Sequence, residues 1–255
     1  MAEPAGSARS VGARAYYCRM CGRYATSRTP ATLVDDFEAD LGDLFEDTGA
    51  DYNLAPTKLA PLVVQRTGED TVRRELVTAK WGLVPSWAKD PSIGNRLINA
   101  RSETVAEKPS FRKAFAKRRA IVPADGFYEW YQPEGEPGAK RKPPKQPFFM
   151  SAESGLGLAG LYEFWKDPEG AWLLTYTILT TSAEGEDGRI HDRAPLIVEP
   201  DVASRWLAAE PWPEALDHLV PATPGVLRTW PVSTEVNNVR NNGPELVEPI
   251  PIEGE

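Results

Sequence analysis

Apolar residues follow two different spacings along the chain, and the first is helical. Thr29-Pro30 offers a helix cap followed by a first-turn proline. A series of apolar residues then recurs three or four positions apart, as on the buried face of a helix: Leu33, Phe37, Leu41 and Leu44. The pattern predicts one amphipathic helix that continues through Phe45.

Most of the remaining apolar residues form short runs that are typical of β-strands. These runs are residues 62–65, 76–83, 120–123, 127–131, 148–151, 156–164, 172–180 and 196–198. Further helices are predicted at 110–117, 202–208 and 213–218, whereas the Pro-, Gly- and Lys-rich stretch 132–145 is typical of a loop.

The order of these elements is mixed and shows no regular alternation of strand and helix. It therefore favours an α+β fold, built as a single domain on a largely antiparallel sheet of barrel-like character with several short helices. A chain of 255 residues with 41% hydrophobic content is long enough for one such core. Residues 1–19 are expected to be a disordered leader or a misassigned start, residues 20–242 the domain, and residues 243–255 an acidic, Pro-rich tail that is extended or disordered.

Charge is distributed unevenly along the sequence. Between Lys80 and Arg119 lie ten basic and three acidic residues, a local charge of +7 on a chain whose net charge is −8, so the rest carries −15. A basic region on an acidic protein fits a local phosphate-binding groove, although a solvated surface would show the same composition.

The sequence lacks the motifs that identify several functional classes. A Walker loop, a GxGxxG turn, an HExxH helix and a paired CxxC are all absent, so we expect no cofactor and no metal. Neither an apolar run of membrane-spanning length nor a secretory signal is visible, which indicates a cytoplasmic protein without a membrane partner. The single pair Cys18 and Cys21 leaves open a redox pair, or a metal site completed by His191 and His218.

Six motifs follow one another in unbroken order: MCGRY at 20–24, YNLAPT at 52–57, WGLVPSW at 81–87, NARSET at 99–104, PADGFYEW at 123–130 and IHDR at 190–193. They resemble the motifs of the SRAP family, the abasic-site processing proteins linked to the SOS response. The likeness extends from Met20 to about Asn242 and implies an SRAP-like fold that acts as a monomer on single-stranded DNA, nucleoid-associated when bound.

The resemblance implies a covalent mechanism. An abasic site opens to an aldehyde, and an N-terminal cysteine carries an amine and a thiol on adjacent carbons. The amine of Cys21 would form an imine, and its thiol would then close a thiazolidine ring, giving a durable DNA–protein crosslink that shields the lesion. Self-cleaving peptidase or lyase-type activity is implied as well.

The resemblance also implies roles for individual residues. Glu129 would serve as general acid and base, His191 would orient or protonate the opened sugar, and Asn99 would position the cysteine or the deoxyribose. The expected DNA contacts are phosphate binding by Arg23 and Arg101, stacking by Pro56, Trp81, Pro85 and Trp87, and further contacts from Asn53 and Ser102. A surface glutamate, a structural histidine, a cap asparagine and core tryptophans are the ordinary alternatives.

The mechanism requires a free α-amine on Cys21, which has twenty residues before it. We expect translation to begin at Met20, with Met20 then removed, or a cleavage after Met20. Two other functions stay open at this point: a cysteine-nucleophile peptidase or amidohydrolase using Cys21, Glu129 and His191, and a noncovalent reader of modified DNA.

Overall fold

The computed structural model describes residues 22–68, 71–133, 143–182, 193–208, 214–222 and 227–251. Its strands are β1 Tyr24–Thr26, β2 Ala39–Leu41, β3 Asp51–Leu54, β4 Leu59–Thr67, β5 Val72–Trp81, β6 Asn99–Arg101, β7 Arg119–Tyr131, β8 Gln146–Lys166, β9 Trp172–Ser182, β10 Arg193–Ile197, β11 Val220–Pro221 and β12 Arg228–Pro231. The α-helices are α1 Pro30–Phe37, α2 Arg112–Lys117 and α3 Pro200–Leu207, and short 3-10 helices span Pro91–Arg96, Ser102–Thr104, Ala215–His218, Thr234–Asn237 and Pro244–Leu246.

Five strands of the sheet form a ring. The pairing order β8-β9-β5-β4-β7 returns to β8, because β7 and β8 also pair along most of the length of β7. Within the ring only the β5–β9 pair is parallel. The predicted α+β class with a mostly antiparallel sheet is confirmed.

Both faces of the ring are buried. One set of alternate residues, including Leu62 on β4 and Tyr176 on β9, packs inside the ring in what we call the inner core. The opposite set, including Val63, packs under α1, α2 and α3 in the outer core. Because each strand alternates between two apolar environments, its sequence reads as a continuous apolar run.

The first helix is shorter than its spacing predicts. It ends at Phe37, where Glu38 adopts a left-handed conformation (φ 50°) and its backbone N–H bonds back to Asp35 and Val34. Residues 39–41 then pair in parallel with β5, which leaves Leu41 57% exposed and Leu44 48% exposed. The prediction of a helix through Phe45 is wrong beyond Phe37, because pairing with β5 replaces the helix.

Residues 244–251 are packed against the domain, contrary to the expected extended or disordered tail. Leu246 is buried in a third apolar cluster, the C-terminal core, together with Val232 and Val236. The backbone N–H of Ile250 donates to the carbonyl of Pro231, and Val232 forms a bridge with Pro249. Apolar residues between the acidic ones supply the buried surface that holds this segment in place.

None of the helices in the part of the chain that the structure describes has the length and apolarity needed to span a bilayer. The predicted 132–145 loop lies partly outside the described residues. Pro213 and the 1–19 leader lie entirely outside them.

Candidate functional site

Two of the four predicted catalytic residues, Cys21 and His191, lie outside the described residues, as does Cys18. Their described neighbours show where the chain leads. The segment after Cys21 enters β1 directly, and Tyr24 of β1 pairs with Phe127 on one side and Leu54 on the other. Arg193, two positions after His191, begins β10.

Glu129 is 3% exposed and lies on β7, opposite Phe148 of β8. It shares a face of the strand with Phe127, which belongs to the inner core, while Tyr128 between them packs in the C-terminal core. The carboxyl group is therefore directed to the inner face of the sheet, next to the strand that follows Cys21. A buried carboxyl in this position differs from the solvated glutamate that an alternating strand would otherwise suggest.

Asn99 and Arg101 lie on β6, which pairs in parallel with β9 through Ile178 and Thr180. Ala100 between them packs in the outer core, so Asn99 and Arg101 are directed to the opposite, inner face. Asn99 is half-buried and Arg101 is exposed, a combination suited to one group in a pocket and one at its rim. Ser102, half-buried, starts the next 3-10 helix.

The strand that follows Cys21 contacts β9, the strand that supports Asn99, across the inner core. Tyr24 of β1 reaches Tyr176 of β9, and their hydroxyl oxygens lie 2.5 Å apart. The ring of Trp81 lies beside both tyrosines, with centroid distances of 5.2 Å to Tyr24 and 6.3 Å to Tyr176. The strand that follows Cys21, the side chain of Glu129 and the side chain of Asn99 therefore all face the interior of the ring.

Asn53 is completely buried and holds the C-terminal segment. Its side-chain nitrogen donates to the carbonyls of Val236, Asn238 and Asn241 at 3.0 to 3.2 Å. Its carbonyl oxygen accepts a hydrogen bond from Arg23 at 2.5 Å. The predicted DNA contact by Asn53 is therefore replaced by a structural role, because the amide has no exposed surface.

Arg23 is half-buried by the same network. Its Nη1 also donates to the carbonyl of Val236, and the guanidinium lies over the ring of Trp130 at 5.8 Å. Burial lowers the pKa of Arg23 below its ordinary value. In the described structure this arginine joins β1 to the C-terminal segment, and phosphate binding by it stays a prediction.

The four predicted stacking residues differ in the solvent exposure of their side chains. Trp81 is 0% exposed and its indole nitrogen donates to the carbonyl of Ile98, so its ring packs in the inner core and offers no surface to a base. Pro85 is buried as well. Pro56 is half-buried and Trp87 is 54% exposed. Of the four, Trp87 presents the most surface for stacking.

Gly82 explains part of the WGLVPSW motif in structural terms. It has φ +118°, and a Cβ there would lie 2.6 Å from the carbonyl oxygen of Gly94. Only glycine fits both the conformation and the contact. Trp81, Gly82 and Pro85 of this motif therefore have structural roles.

Glu103 is a site-flanking residue that the sequence interpretation did not single out. Its carboxylate binds the guanidinium of Arg193 through two bonds of 2.5 and 2.9 Å, and it accepts from the backbone and hydroxyl of Ser182. The bond from Arg193 lowers the pKa of Glu103 to about 2. Glu103 thus ties together both ends of segment 183–192, which contains His191. Opposite charges in the NARSET and IHDR motifs were the available signal.

The basic region is partly surface and partly structure. Its exposed members are Lys89, Arg96, Arg101, Lys108, Arg112, Lys113 and Lys117. Arg119 is 3% exposed, and its guanidinium donates to the carbonyls of Phe115, Trp206 and Ala208. Arg118 pairs with Glu163 at 2.6 Å. The exposed cations form the part of this region that can meet a phosphate backbone.

The chain is similar to proteins of one known family. The model of the SOS response associated peptidase (SRAP) family matches residues 20–239. The abasic site processing protein YoqW of Bacillus subtilis (strain 168) is 37% identical over 235 residues, covering 90% of this chain and 99% of that protein. The abasic site processing protein YedK of Escherichia coli (strain K12) is 34% identical over 242 residues, covering 91% and 100%.

A solved structure of a protein from Bacteroides thetaiotaomicron shares the fold, with a TM-score of 0.72 at 22% identity over 90% of this chain and 100% of that one. The chain belongs to the SRAP family. The resemblance inferred from its six motifs is confirmed.

Proposed function

We propose that this chain processes abasic sites in single-stranded DNA by attaching to them covalently through Cys21. The observation that carries the proposal is the path of the chain at β1, which brings the residues after Cys21 beside buried Glu129 and opposite the wall that bears Asn99. The names of YoqW and YedK, both abasic site processing proteins, support the class of lesion.

The reaction needs no oxidant or cofactor. The α-amine of Cys21 attacks the aldehyde carbon of the ring-opened sugar, and loss of water gives an imine. The thiol then adds to the imine carbon, its proton passes to nitrogen, and a five-membered thiazolidine results. An α-amine has an ordinary pKa of about 7.7 to 8.0, so a useful fraction is neutral and nucleophilic at physiological pH.

The buried carboxyl of Glu129 is suited to the proton transfers of this sequence. Ring opening requires a proton to leave the sugar hydroxyl, and dehydration requires one to reach the departing oxygen. We assign these transfers to Glu129, assistance at the opened sugar to His191, and positioning of Cys21 or the deoxyribose to Asn99.

We assign DNA binding to exposed Arg101 and Trp87 and to half-buried Pro56. Arg101 follows Asn99 on the same face of β6 and can meet a phosphate next to the lesion. Trp87 and Pro56 offer apolar surface to the flanking bases.

Cys21 needs a free amine for this chemistry, because an amide nitrogen cannot form the imine. The proposal therefore includes translation from Met20 with removal of the methionine, or cleavage after Met20. The intact mass of the protein expressed from the full coding sequence shows directly whether the chain begins at Cys21.

The test is intact mass before and after incubation with single-stranded DNA that carries one abasic site. We expect a chain beginning at Cys21 that gains one DNA strand less one water, in an adduct that survives denaturant. The matched control is the same strand with a tetrahydrofuran abasic analogue, which has no aldehyde. A chain that begins at Cys21 but gains no adduct would show that the covalent mechanism is wrong and would favour a noncovalent reader.

Two substitutions separate the amine from the thiol. Cys21→Ala keeps an α-amine and lacks the thiol, so we expect no durable adduct, an imine that borohydride can trap, and noncovalent affinity within about twofold of wild type. Cys21→Ser should behave similarly, since a hydroxyl closes a less durable ring. Durable adducts at wild-type yield in either variant would contradict the proposed chemistry.

A further inference from the structure

The inner core contains a hydroxyl pair that apolar packing does not require. The hydroxyl oxygens of Tyr24 and Tyr176 lie 2.5 Å apart, and both side chains are 0% exposed. Nearly all of the cluster around them is aliphatic or aromatic. Two phenylalanines would bury similar apolar surface without the cost of removing two hydroxyls from water.

The pair connects two strands that are not neighbours in the sheet. Tyr24 lies three positions after Cys21 on β1, which pairs with β3 and β7. Tyr176 lies on β9, two positions before Ile178, the residue that pairs with Asn99. The hydroxyl bond therefore spans the interior of the ring between the strand that follows Cys21 and the strand that supports Asn99.

Neighbouring contacts restrict how the two rings can move. Trp81 packs edge-on against Tyr24 and nearly parallel to Tyr176, at an interplanar angle of 11°. Its indole nitrogen is fixed to the carbonyl of Ile98, the residue before Asn99. Burial raises the pKa of Tyr176 well above its ordinary value, so its hydroxyl stays protonated at neutral pH.

We propose that Tyr24 and Tyr176 are positioning residues whose hydroxyl bond holds β1, the strand that follows Cys21, against β9, the strand that supports Asn99, for the covalent step. The inference rests on the proposed function, because it concerns the geometry of imine formation by Cys21. Neither tyrosine contacts the lesion in this view. They act by holding β1 against β9, and small displacements of a reacting group reduce rates strongly.

The experiment compares Tyr24→Phe, Tyr176→Phe and the double variant with Tyr162→Phe as the matched control. Tyr162 is 6% exposed, belongs to the same core and packs edge-on against Phe164. Each protein is used in the form whose mass shows Cys21 at the N-terminus. Three quantities are measured: the rate constant of adduct formation at saturating abasic DNA, the Kd for the tetrahydrofuran analogue, and the Tm.

We expect each single substitution to lower the rate constant by about tenfold while the Kd changes by less than about twofold. The double variant should show about the same tenfold loss, because both substitutions remove one shared bond. Its Tm should recover toward the wild-type value relative to Tyr24→Phe, which leaves the buried hydroxyl of Tyr176 without its partner. Tyr162→Phe should keep the wild-type rate.

The decisive comparison is that the rate constant stays low in the double variant while the Tm recovers. A rate constant that recovers together with the Tm would make the pair merely structural and overturn the inference. Wild-type rates in all three variants would overturn it too, without affecting the proposed function. Failure of the wild-type protein itself to form an adduct would defeat both.

Discussion

At the scale of single residues, Asn53 of the YNLAPT motif has a structural role, because its amide is completely buried. Its side-chain nitrogen donates to three carbonyls of the C-terminal segment, and its side-chain oxygen accepts a hydrogen bond from Arg23. A hydrogen-bonded polar network inside a protein is costly to disturb, because each group that loses its partner stays away from water.

Asn53→Ala should therefore lower the free energy of unfolding by about 2–4 kcal/mol, as expected when a buried hydrogen-bonded network is broken. Asn53→Asp should cost a similar amount, because a carboxylate cannot donate to the three carbonyls. The measurement is denaturant unfolding, with the exposed Asn95→Ala as control. A loss below about 1 kcal/mol in Asn53→Ala would show that the network contributes little.

The sequence could predict the chemistry of the motif residues but not which of them are buried. Trp81 and Trp87 stand in one motif, yet Trp81 is 0% exposed and Trp87 is 54% exposed. A tryptophan in a strand-like segment looks the same whether its ring enters the core or faces a ligand. The difference depends on the closure of the ring, which brings Tyr24 and Tyr176 against Trp81.

At the scale of elements, long-range pairing decides where local patterns stop. Leu41 and Leu44 continue the helical spacing of α1, but residues 39–41 pair with β5 instead. The predicted strands at 120–123 and 127–131 form one strand, β7, with an irregularity between Ala124 and Gly126. A Cβ on Gly126 would clash with the carbonyl oxygen of Met150, so this glycine permits close approach of β8 and does not mark a turn.

Glu103 also acts at this scale, because it joins the end of β9 to the start of β10. Its folded-state pKa of about 2 lies below its ordinary value of 4.5. A carboxyl with a lowered pKa stabilises the fold above its unfolded pKa, and this contribution is lost as the pH falls from about 4.5 toward 2. Since the side chain is 42% exposed, solvent screening limits the effect to about 1 kcal/mol or less.

Glu103→Gln should be less stable than wild type at pH 7, with a difference that shrinks as the pH is lowered through this window. The measurement is Tm between pH 7 and pH 3, with the exposed Glu107→Gln as the matched loss of one charge. Parallel curves for wild type and Glu103→Gln would contradict a role for the Arg193 pair in acid stability.

At the scale of the whole molecule, the sequence predicted the fold class and the barrel-like character of the sheet, but not which strands pair to close the ring. Mixed element order and short apolar runs are sufficient for a mostly antiparallel α+β domain. Closure depends on β7 pairing with both β4 and β8, and on the parallel β5–β9 pair, which joins segments far apart in the chain. Packing of the inner core determines which strands pair, and no local sequence pattern predicts that packing.

Charge is a property of the whole molecule as well, and the structure refines the predicted basic region. Arg118 and Arg119 are engaged within the fold, which leaves the exposed cations between Lys89 and Lys117 for a DNA backbone. Each phosphate that a protein neutralises on a single strand adds about 0.7 to the slope of log affinity against log salt concentration. The slope therefore counts the cations that reach phosphates.

Arg101→Gln should weaken binding to the tetrahydrofuran strand at low salt and reduce that slope by about 0.7, because one phosphate contact is lost. The matched control is Lys166→Gln, which removes one exposed charge from the β8–β9 hairpin outside the basic region. Titrations at several salt concentrations give both slopes. An unchanged slope in Arg101→Gln would show that Arg101 does not contact a phosphate, whereas equal losses in both variants would show that DNA responds only to the net charge of the molecule.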